Sequence, residues 1–475
     1  MSIQLVILIV YAVVLLAIAW WSTKLQKNAK GGKVLNYLLA GRNMPVILVA
    51  AMITGLAVGG ASTVGVAQTA YTKGFSAGWY NAAWGIGGIA AGLLVIGQFR
   101  KMSVKTVPEM MQLMFDSKTR TAAVISQLIV MISITAMQYV AGGAILAALL
   151  PDIFSFKGGM IASACIFIFI TVVGGYWASG ITNVMNVVVI YIGVIVALIK
   201  TLSMAGGMET VKAALPPLNT GNWMDPISGL GLAVVVAYII VMITMAIGIQ
   251  AVAQIGFAAR DEKTAKRGFL LGGVLILPAG FLCAIFGIVA AAKYPGLNPA
   301  MALPTVVTAL TPVIGGIFLA GLWAADISTA VGLLMGCSTL ANEDIVKKII
   351  TKPLTQGQEI ILSRGVVLFI SLLSFGLALT ATGILAVVTT ALAILTAPTI
   401  LILANIYCPS ICKKASGFWM IIISVVLWAI WTYCPQFRVG PHLIYAEWVI
   451  CGAFFILTTI FGQEKAGRLI TAEKI

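Results

Sequence analysis

Residues 315–344 read GGIFLAGLWAADISTAVGLLMGCSTLANED and combine an apolar span with oxygen-bearing side chains near its middle. On an α-helix, Ala325, Ser328 and Thr329 recur at i, i+3 and i+4 and therefore share one face. One backbone carbonyl and two hydroxyls on that face are hard, neutral ligands of the kind that an alkali cation accepts in exchange for water. The alternative without an ion is that the Ser and Thr hydroxyls bond back to carbonyls of their own helix.

Asp326 directly follows Ala325 and has apolar or small residues on both sides in the sequence. A carboxylate at such a depth in a membrane is costly and is associated with function by default. Three roles stay open for Asp326: contact with a cation, exchange of a proton, or a structural hydrogen bond to a neighbouring helix. The sequence therefore predicts ion or proton coupling here, with the structural role as the alternative.

Composition predicts an all-α polytopic membrane protein. Of 475 residues, 61% are hydrophobic and 9% are charged, and the mean hydropathy is +1.07, whereas a soluble domain is roughly a quarter charged. The net charge of +15 is attributed to orientation in the bilayer, so no nucleic acid partner is expected. The chain contains one His and seven Cys. A single His offers few residues for a catalytic triad or a histidine-rich metal centre, so an enzyme is not predicted.

The apolar runs set the expected topology. About thirteen runs are long enough to span a bilayer, at residues 3–21, 46–70, 77–98, 121–149, 159–177, 182–203, 229–257, 269–291, 313–340, 363–382, 384–406, 417–434 and 443–462. With an external N-terminus, the outer segments hold only Lys73, Lys157, Lys200, Lys212, Lys293 and Arg438, which leaves 23 of the 29 Lys and Arg residues inside. The positive-inside rule then places the C-terminus inside.

The second span carries an unusual group of glycines, Gly55, Gly59 and Gly60. Each glycine costs a helix roughly 1 kcal/mol relative to alanine, so an unwound segment near Gly59 is predicted. Unwound backbone at this depth is tolerated only where it is buried or lines a cavity, and broken helices mark the binding sites of secondary transporters. The alternative is a glycine-rich face for close helix packing.

The seventh span ends in a pair of glutamines, Gln250 and Gln254, which share one helix face. They could hydrogen-bond a solute or cap an inner vestibule, and the sequence leaves both roles open.

Four motifs carry a family resemblance. They are YLLAGR at 37–42, GGYWA at 174–178 followed by TNVMN at 182–186, FAARDEKTAKRG at 257–268, and AADIST at 324–329 followed by EDIV at 343–346. In this order and spacing the chain resembles the sodium:solute symporter family, which includes proline, pantothenate, sugar and sialic acid carriers.

The resemblance implies the leucine-transporter fold within one transmembrane domain, residues 1–475. Two inverted five-helix repeats are expected at 45–203 and 229–407, each beginning with a broken helix. The remaining parts are an extra N-terminal helix with a basic inner loop at 1–44, an outer loop at 204–228, and C-terminal helices with a short tail at 408–475.

The resemblance also implies a sodium site, formed by carbonyls of Gly55, Val58 and Ala325 with the hydroxyls of Ser328 and Thr329. Some members of the family hold a second sodium ion with an aspartate of the sixth span and two serines of the ninth. The matching positions in this chain are Asn183, Val331 and Gly332, so that second site is not carried over. Asn183 is retained only as a candidate for ion or proton coupling.

The expected function is coupling of inward sodium flow to uptake of a small organic solute, namely a monocarboxylate, a pantothenate-like acid or an amino acid. The expected solute-binding residues are polar or aromatic but uncharged: Ser62, Thr63, Gln68, Asn81, Trp84 and Gln250. The alternatives are a quaternary amine held in an aromatic cage of Trp79, Tyr80, Trp84 and Tyr139, another neutral solute, or a proton-coupled or passive facilitator. Sodium, the solute and membrane lipid are the expected partners of a monomer in the cell membrane, of the bacterial inner-membrane type.

Overall fold

The computed structural model describes residues 3–28, 33–102, 104–218, 221–349, 355–380 and 383–467, and within these residues the chain is overwhelmingly helical. Helices satisfy every backbone hydrogen bond within one segment, which the hydrocarbon of a bilayer requires. The helices of the first part of the chain are α1 Ile3–Asn28, α2 Lys33–Leu39, α3 Val46–Ala57, α4 Val66–Lys73, α5 Trp79–Leu94, α6 Ile96–Lys101, α7 Val107–Met114, α8 Ser117–Leu149, α9 Phe156–Met204 and α10 Met208–Ala213.

The second part of the chain continues in the same manner. Its helices are α11 Leu232–Gly248, α12 Gln250–Ala258, α13 Glu262–Ile276, α14 Ala279–Lys293, α15 Ala302–Thr308, α16 Pro312–Leu340, α17 Lys347–Ile349, α18 Gln356–Ala378, α19 Ile384–Leu392, α20 Thr396–Tyr407, α21 Lys414–Tyr433 and α22 Leu443–Phe461. Local sequence fixes several of these starts: the Asp116 carboxylate accepts from Thr119 N at the start of α8 (2.7 Å), and Pro312 occupies the first turn of α16.

Eight helices of the described residues are long and apolar enough to cross a membrane, or up to ten if each of two bent pairs is one span. The polytopic class is therefore confirmed. The count of thirteen spans and the orientation of the termini stay predictions.

Helix α9 joins two of the predicted spans, 159–177 and 182–203, in one continuous helical segment of 49 residues. A straight helix of that length would measure about 74 Å. Both ends of α9 nevertheless lie near residues 293–298. At one end Lys293 Nζ donates to Met204 O (3.0 Å), and at the other Phe156 lines a cavity together with Asn298. The segment therefore bends back on itself, which agrees with two antiparallel spans.

Two of the spans are broken near their middles. The glycines near Gly59 predict the first of these breaks. The chain bends by 53° between Val46–Ala57 and the segment that follows from Ala61, and by 51° between Leu232–Gly248 and Gln250–Ala258. The predicted break near Gly59 is confirmed, and the second break falls at Ile249, directly before Gln250.

The centre of the molecule is formed by α16 and α8, whose apolar stretches are 89% and 83% buried by protein. The apolar stretches of α21 and α22 are only 28% buried, so these two helices lie at the periphery and present apolar side chains outward. The oxygen-bearing face of α16 is thus enclosed by other helices, where an ion could be held away from lipid.

The orientation can be tested with single cysteines at two exposed positions, Glu209 and Lys263. In a variant whose exposed and half-exposed native cysteines, Cys165, Cys408 and Cys434, are replaced by serine, we expect Glu209→Cys to react in intact cells with an impermeant thiol reagent. Lys263→Cys should react only after permeabilisation, because the positive-inside rule places its basic loop inside. The reverse pattern would overturn the assignment of every loop.

Candidate ion and solute site

The first break is built by glycines that allow close approach of neighbouring helices. Helix α3 ends at Ala57, Val58 leaves the helical region (φ −96°, ψ 62°), and a π-helical turn over Ala61–Gly65 restarts the helix. A Cβ atom at Gly60 would overlap Ala141 Cβ of α8 and would lie 2.5 Å from Asp326 Oδ1. Only a glycine fits here, so the break is pressed against both central helices.

The oxygen-bearing face of α16 meets the end of the first half-helix. Thr329 Oγ1 donates to Gly55 O at 2.8 Å and also lies 3.2 Å from Ala325 O, while Ser328 Oγ donates to Ala325 O at 2.7 Å. Four of the five predicted sodium-site residues are therefore gathered in one buried cluster. The fifth, Val58, forms the end of the same half-helix, where its N–H donates to Thr54 O (2.8 Å).

Asp326 contacts the other side of the break. Its Oδ1 accepts from the N–H of Gly60 at 3.1 Å, and the same N–H donates to Gln138 Oε1 at 2.9 Å. Asp326 is fully buried, and its Oδ2 has no hydrogen-bond partner within the described part of the chain. One turn of α16 thus contacts both halves of the broken helix, the carbonyl end through Thr329 and the N–H end through Asp326.

The two asparagines of the sixth span take different positions. Asn183 packs directly against Gly55, where a Cβ would overlap its Oδ1, and that oxygen has no partner among the described residues. Asn186 joins three helices, because its Nδ2 donates to Ala324 O (3.1 Å) and its Oδ1 accepts from Tyr11 Oη (3.0 Å). Asn183 is therefore beside the oxygen cluster, and Asn186 is structural.

A small cavity of about 30 Å³, the central cavity, lies between the two breaks. The first break contributes Gly59 to its wall, the second contributes Ile249, and α5 contributes the side chains of Tyr80 and Trp84. Thr329 also reaches its wall, so the oxygen cluster and the cavity are adjacent. The described residues that line this cavity include no charged side chain.

Of the six predicted solute-binding residues, only Trp84 lines the central cavity. The hydroxyls of Ser62 and Thr63 both donate to Gly59 O, at 3.0 and 2.9 Å, so they satisfy the break itself. Gln68 lines a different cavity, together with Lys157.

Asn81 is also away from the central cavity. Its side chain lies against Gly280 of α14, fully buried and without a hydrogen-bond partner among the described residues.

Gln250, the last of the six, does not line the central cavity and is hydrogen-bonded to other segments of the chain. Its Oε1 accepts from Val107 N (2.7 Å), its Nε2 donates to Lys105 O (3.3 Å), and its own N–H donates to Gln127 Oε1 (2.9 Å). Gln254 Nε2 donates to Leu38 O at 2.8 Å. Neither glutamine lines the central cavity, and both roles that the sequence left open for them stay predictions.

Only two of the four aromatic residues expected to form a cage line the central cavity. Tyr80 and Trp84 line the cavity, whereas Trp79 packs edge-on against Phe281 with ring centroids 6.0 Å apart. The Tyr139 hydroxyl is hydrogen-bonded with Ser371 of α18.

Sequence reasoning missed Gln138 on α8, which both caps the break and lines the cavity. Two glutamines, Gln127 and Gln138, in a mostly apolar span were the available signal.

Comparison with known proteins places these features in one family. Residues 37–424 match the model of the sodium:solute symporter family. The sodium/pantothenate symporter of Escherichia coli (strain K12) is 26% identical over 357 residues, which are 71% of this chain and 71% of that protein. The sodium/proline symporter of Salmonella typhimurium (strain LT2) is 23% identical over 386 residues, which are 76% of this chain and 73% of that protein.

A solved structure gives the same fold. A sodium-coupled sialic acid symporter in a substrate-bound, outward-open state superposes with a TM-score of 0.76 at 17% identity, covering 98% of this chain and 99% of that one. The family model matches well over half of the sequence, and the broken helices and polytopic helical architecture agree with it. The chain belongs to the sodium:solute symporter family, a family of membrane transporters.

Proposed function

We propose that this protein is a secondary active transporter that couples inward sodium flow to uptake of a small organic solute by alternating access. The observation that carries the proposal is the bond from Thr329 Oγ1 to Gly55 O (2.8 Å), which joins α16 to the broken helix beside the central cavity. Sodium bound at this junction would link the position of the break to occupancy of the cavity.

The proposed sodium ligands are the carbonyl oxygens of Gly55, Val58 and Ala325 and the hydroxyl oxygens of Ser328 and Thr329. The carbonyl end of a half-helix carries partial negative charge and favours a cation. Sodium would displace the protons of the two hydroxyls from the carbonyls that they now contact, so that all of these oxygens point at the ion. Asn183, beside Gly55, is proposed to support this arrangement.

The solute is proposed to bind between the two breaks, against Tyr80 and Trp84. The sequence-based expectation names a monocarboxylate, a pantothenate-like acid or an amino acid, with a quaternary amine or another neutral solute as the alternative. A wall with two aromatic rings and no cationic side chain among its described residues supports the alternative over the acids.

For the architecture, we propose two inverted repeats at 45–203 and 229–407, whose first helices are the two broken ones. We propose thirteen spans with the N-terminus outside and the C-terminus inside. The protein would act as a monomer in the cell membrane, as bacterial relatives of the family support.

Uptake into proteoliposomes tests the proposal. A panel of labelled solutes that includes pantothenate, proline, glucose and choline should be offered with an inward sodium gradient, an inward proton gradient, or neither. We expect one solute to accumulate above its external concentration only with the sodium gradient. Equal rates with and without sodium would indicate a passive facilitator, and accumulation driven by the proton gradient alone would indicate proton coupling.

A further inference from the structure

The N–H end of the broken first helix is already occupied by the protein. In transporters with discontinuous helices, the positive N-terminus of a half-helix is the usual contact for an anionic group of the substrate. In this chain the Gly60 N–H at that position donates to Asp326 Oδ1 (3.1 Å) and to Gln138 Oε1 (2.9 Å). A solute carboxylate would therefore have to displace a carboxylate that is held in place by α16.

The other polar groups of the break are occupied as well. The hydroxyls of Ser62 and Thr63 are directed to Gly59 O and do not line the central cavity. Gly59 is itself part of the cavity wall. The next residue, Gly60, is the one whose N–H donates to Asp326. A solute carboxylate in the central cavity would also find no cationic side chain among the described lining residues.

We propose that Asp326 is a specificity-determining residue that takes the place of a substrate carboxylate, so that the transported solute carries no free carboxylate and is uncharged or cationic. This inference rests on the proposed transport function and narrows its substrate class. A solute carboxylate at the break would find the Gly60 N–H already paired with the acceptor oxygens of Asp326 and Gln138 and would stay without a donor there, so we expect a preference of about tenfold or more against the acid. The aromatic faces of Tyr80 and Trp84 then provide the main contacts of the solute.

The test compares solutes that differ only at the carboxylate. Matched pairs are pantothenate with its alcohol pantothenol, glycine betaine with choline, and proline with prolinamide. Each member is offered at equal concentration to proteoliposomes with an inward sodium gradient, and accumulation is measured. We expect the solute that accumulates fastest to be a carboxyl-free member, with its acid at no more than about a tenth of that rate.

Three variants assign the preference to Asp326. Asp326→Asn keeps an acceptor for Gly60 N–H and adds an amide donor that a solute carboxylate could use, and Asp326→Ala removes the side-chain oxygens altogether. We expect the preference within the transported pair to fall in Asp326→Asn and to fall further, towards equal rates, in Asp326→Ala. Glu447→Gln is the matched control, because Glu447 is also a fully buried carboxylate but lies on α22 and bonds to Ser424 (2.6 Å); its preference should equal that of the wild type.

The outcomes distinguish a failure of the inference about Asp326 from a failure of the proposed transport function. If a carboxylate member accumulates at least as fast as its partner in the wild type, the inference is wrong while sodium-coupled transport stands. If Asp326→Asn keeps the full preference of the wild type, the carboxyl group of Asp326 does not set it and the inference is equally wrong. If sodium drives accumulation of no member, the proposed transport function itself fails, and the inference fails with it.

Discussion

Ser328→Ala and Thr329→Ala are each expected to raise the sodium concentration for half-maximal uptake by about ten- to a hundredfold. Each change removes one of about five oxygen ligands, and a ligand of roughly hydrogen-bond strength, about 1–3 kcal/mol, corresponds to that loss of affinity. Both side chains are almost fully buried, at 5% and 3% exposure, so water has little access to replace the lost oxygen. Because coupling between two ligands is reciprocal, the apparent solute affinity at fixed sodium should fall too.

The control for these variants is Ser374→Ala on α18. Ser374 is a buried hydroxyl that bonds a carbonyl of its own helix, Ile370 O (2.9 Å), much as Ser328 bonds Ala325 O. Its loss should leave the sodium dependence unchanged. If the two α16 variants reach the membrane in normal amounts and also keep the wild-type sodium dependence, the cluster on α16 is not the coupling site.

Gly60→Ala is expected to reduce sodium-driven uptake by more than about tenfold. The added Cβ would overlap Ala141 Cβ and crowd Asp326 Oδ1, and overpacking of this kind typically costs about 1–3 kcal/mol. The break cannot then close against α8 and α16, so the state that holds both sodium and solute is disfavoured. Initial rates of uptake, normalised to the amount of protein in the membrane, measure the effect.

Gly376→Ala provides the comparison, because nothing lies within 4 Å of a Cβ at that position of α18. It should transport at the wild-type rate, and since alanine is the better helix former it should be at least as stable. Wild-type transport by Gly60→Ala would show that the close contact at the break is not needed for the cycle.

The sequence predicted the fold where a local signal exists. The glycines near Gly59 signal a break because they weaken the helix at one place, and the spacing of Ala325, Ser328 and Thr329 places three oxygens on one face. The corresponding break at Ile249 has no comparable glycine group, only Gly248, so it was implied by the family resemblance alone.

The remainder of the site depends on contacts between residues far apart in the chain. Gln250 is polar and follows the second break, yet its partners are Val107 and Lys105, 143 and 145 residues away. Ser62 and Thr63 look available in the sequence, but they are bonded to Gly59 O in the fold. Residue type alone does not reveal whether a polar side chain faces a cavity or satisfies the backbone.

A single turn of α16 explains why an aspartate and two hydroxyls occur so close together. Thr329 contacts the carbonyl end of the first half-helix and Asp326 contacts the N–H end of the second. The partial charges of those ends are opposite, negative at the carbonyl end and positive at the N–H end. The neutral oxygens are thus left to accept a cation, and the carboxylate is paired with the donor.

The most direct test of the central claim, that sodium binds at the junction of α16 and the broken helix, requires no knowledge of the solute. Thermal unfolding of the purified protein should be followed in sodium chloride and in potassium chloride at equal ionic strength. A ligand that binds only the folded state raises its stability with concentration, so the account predicts a saturable, sodium-specific rise in Tm that shifts to higher sodium in Ser328→Ala and Thr329→Ala. Identical Tm values in sodium and potassium at every concentration would contradict it.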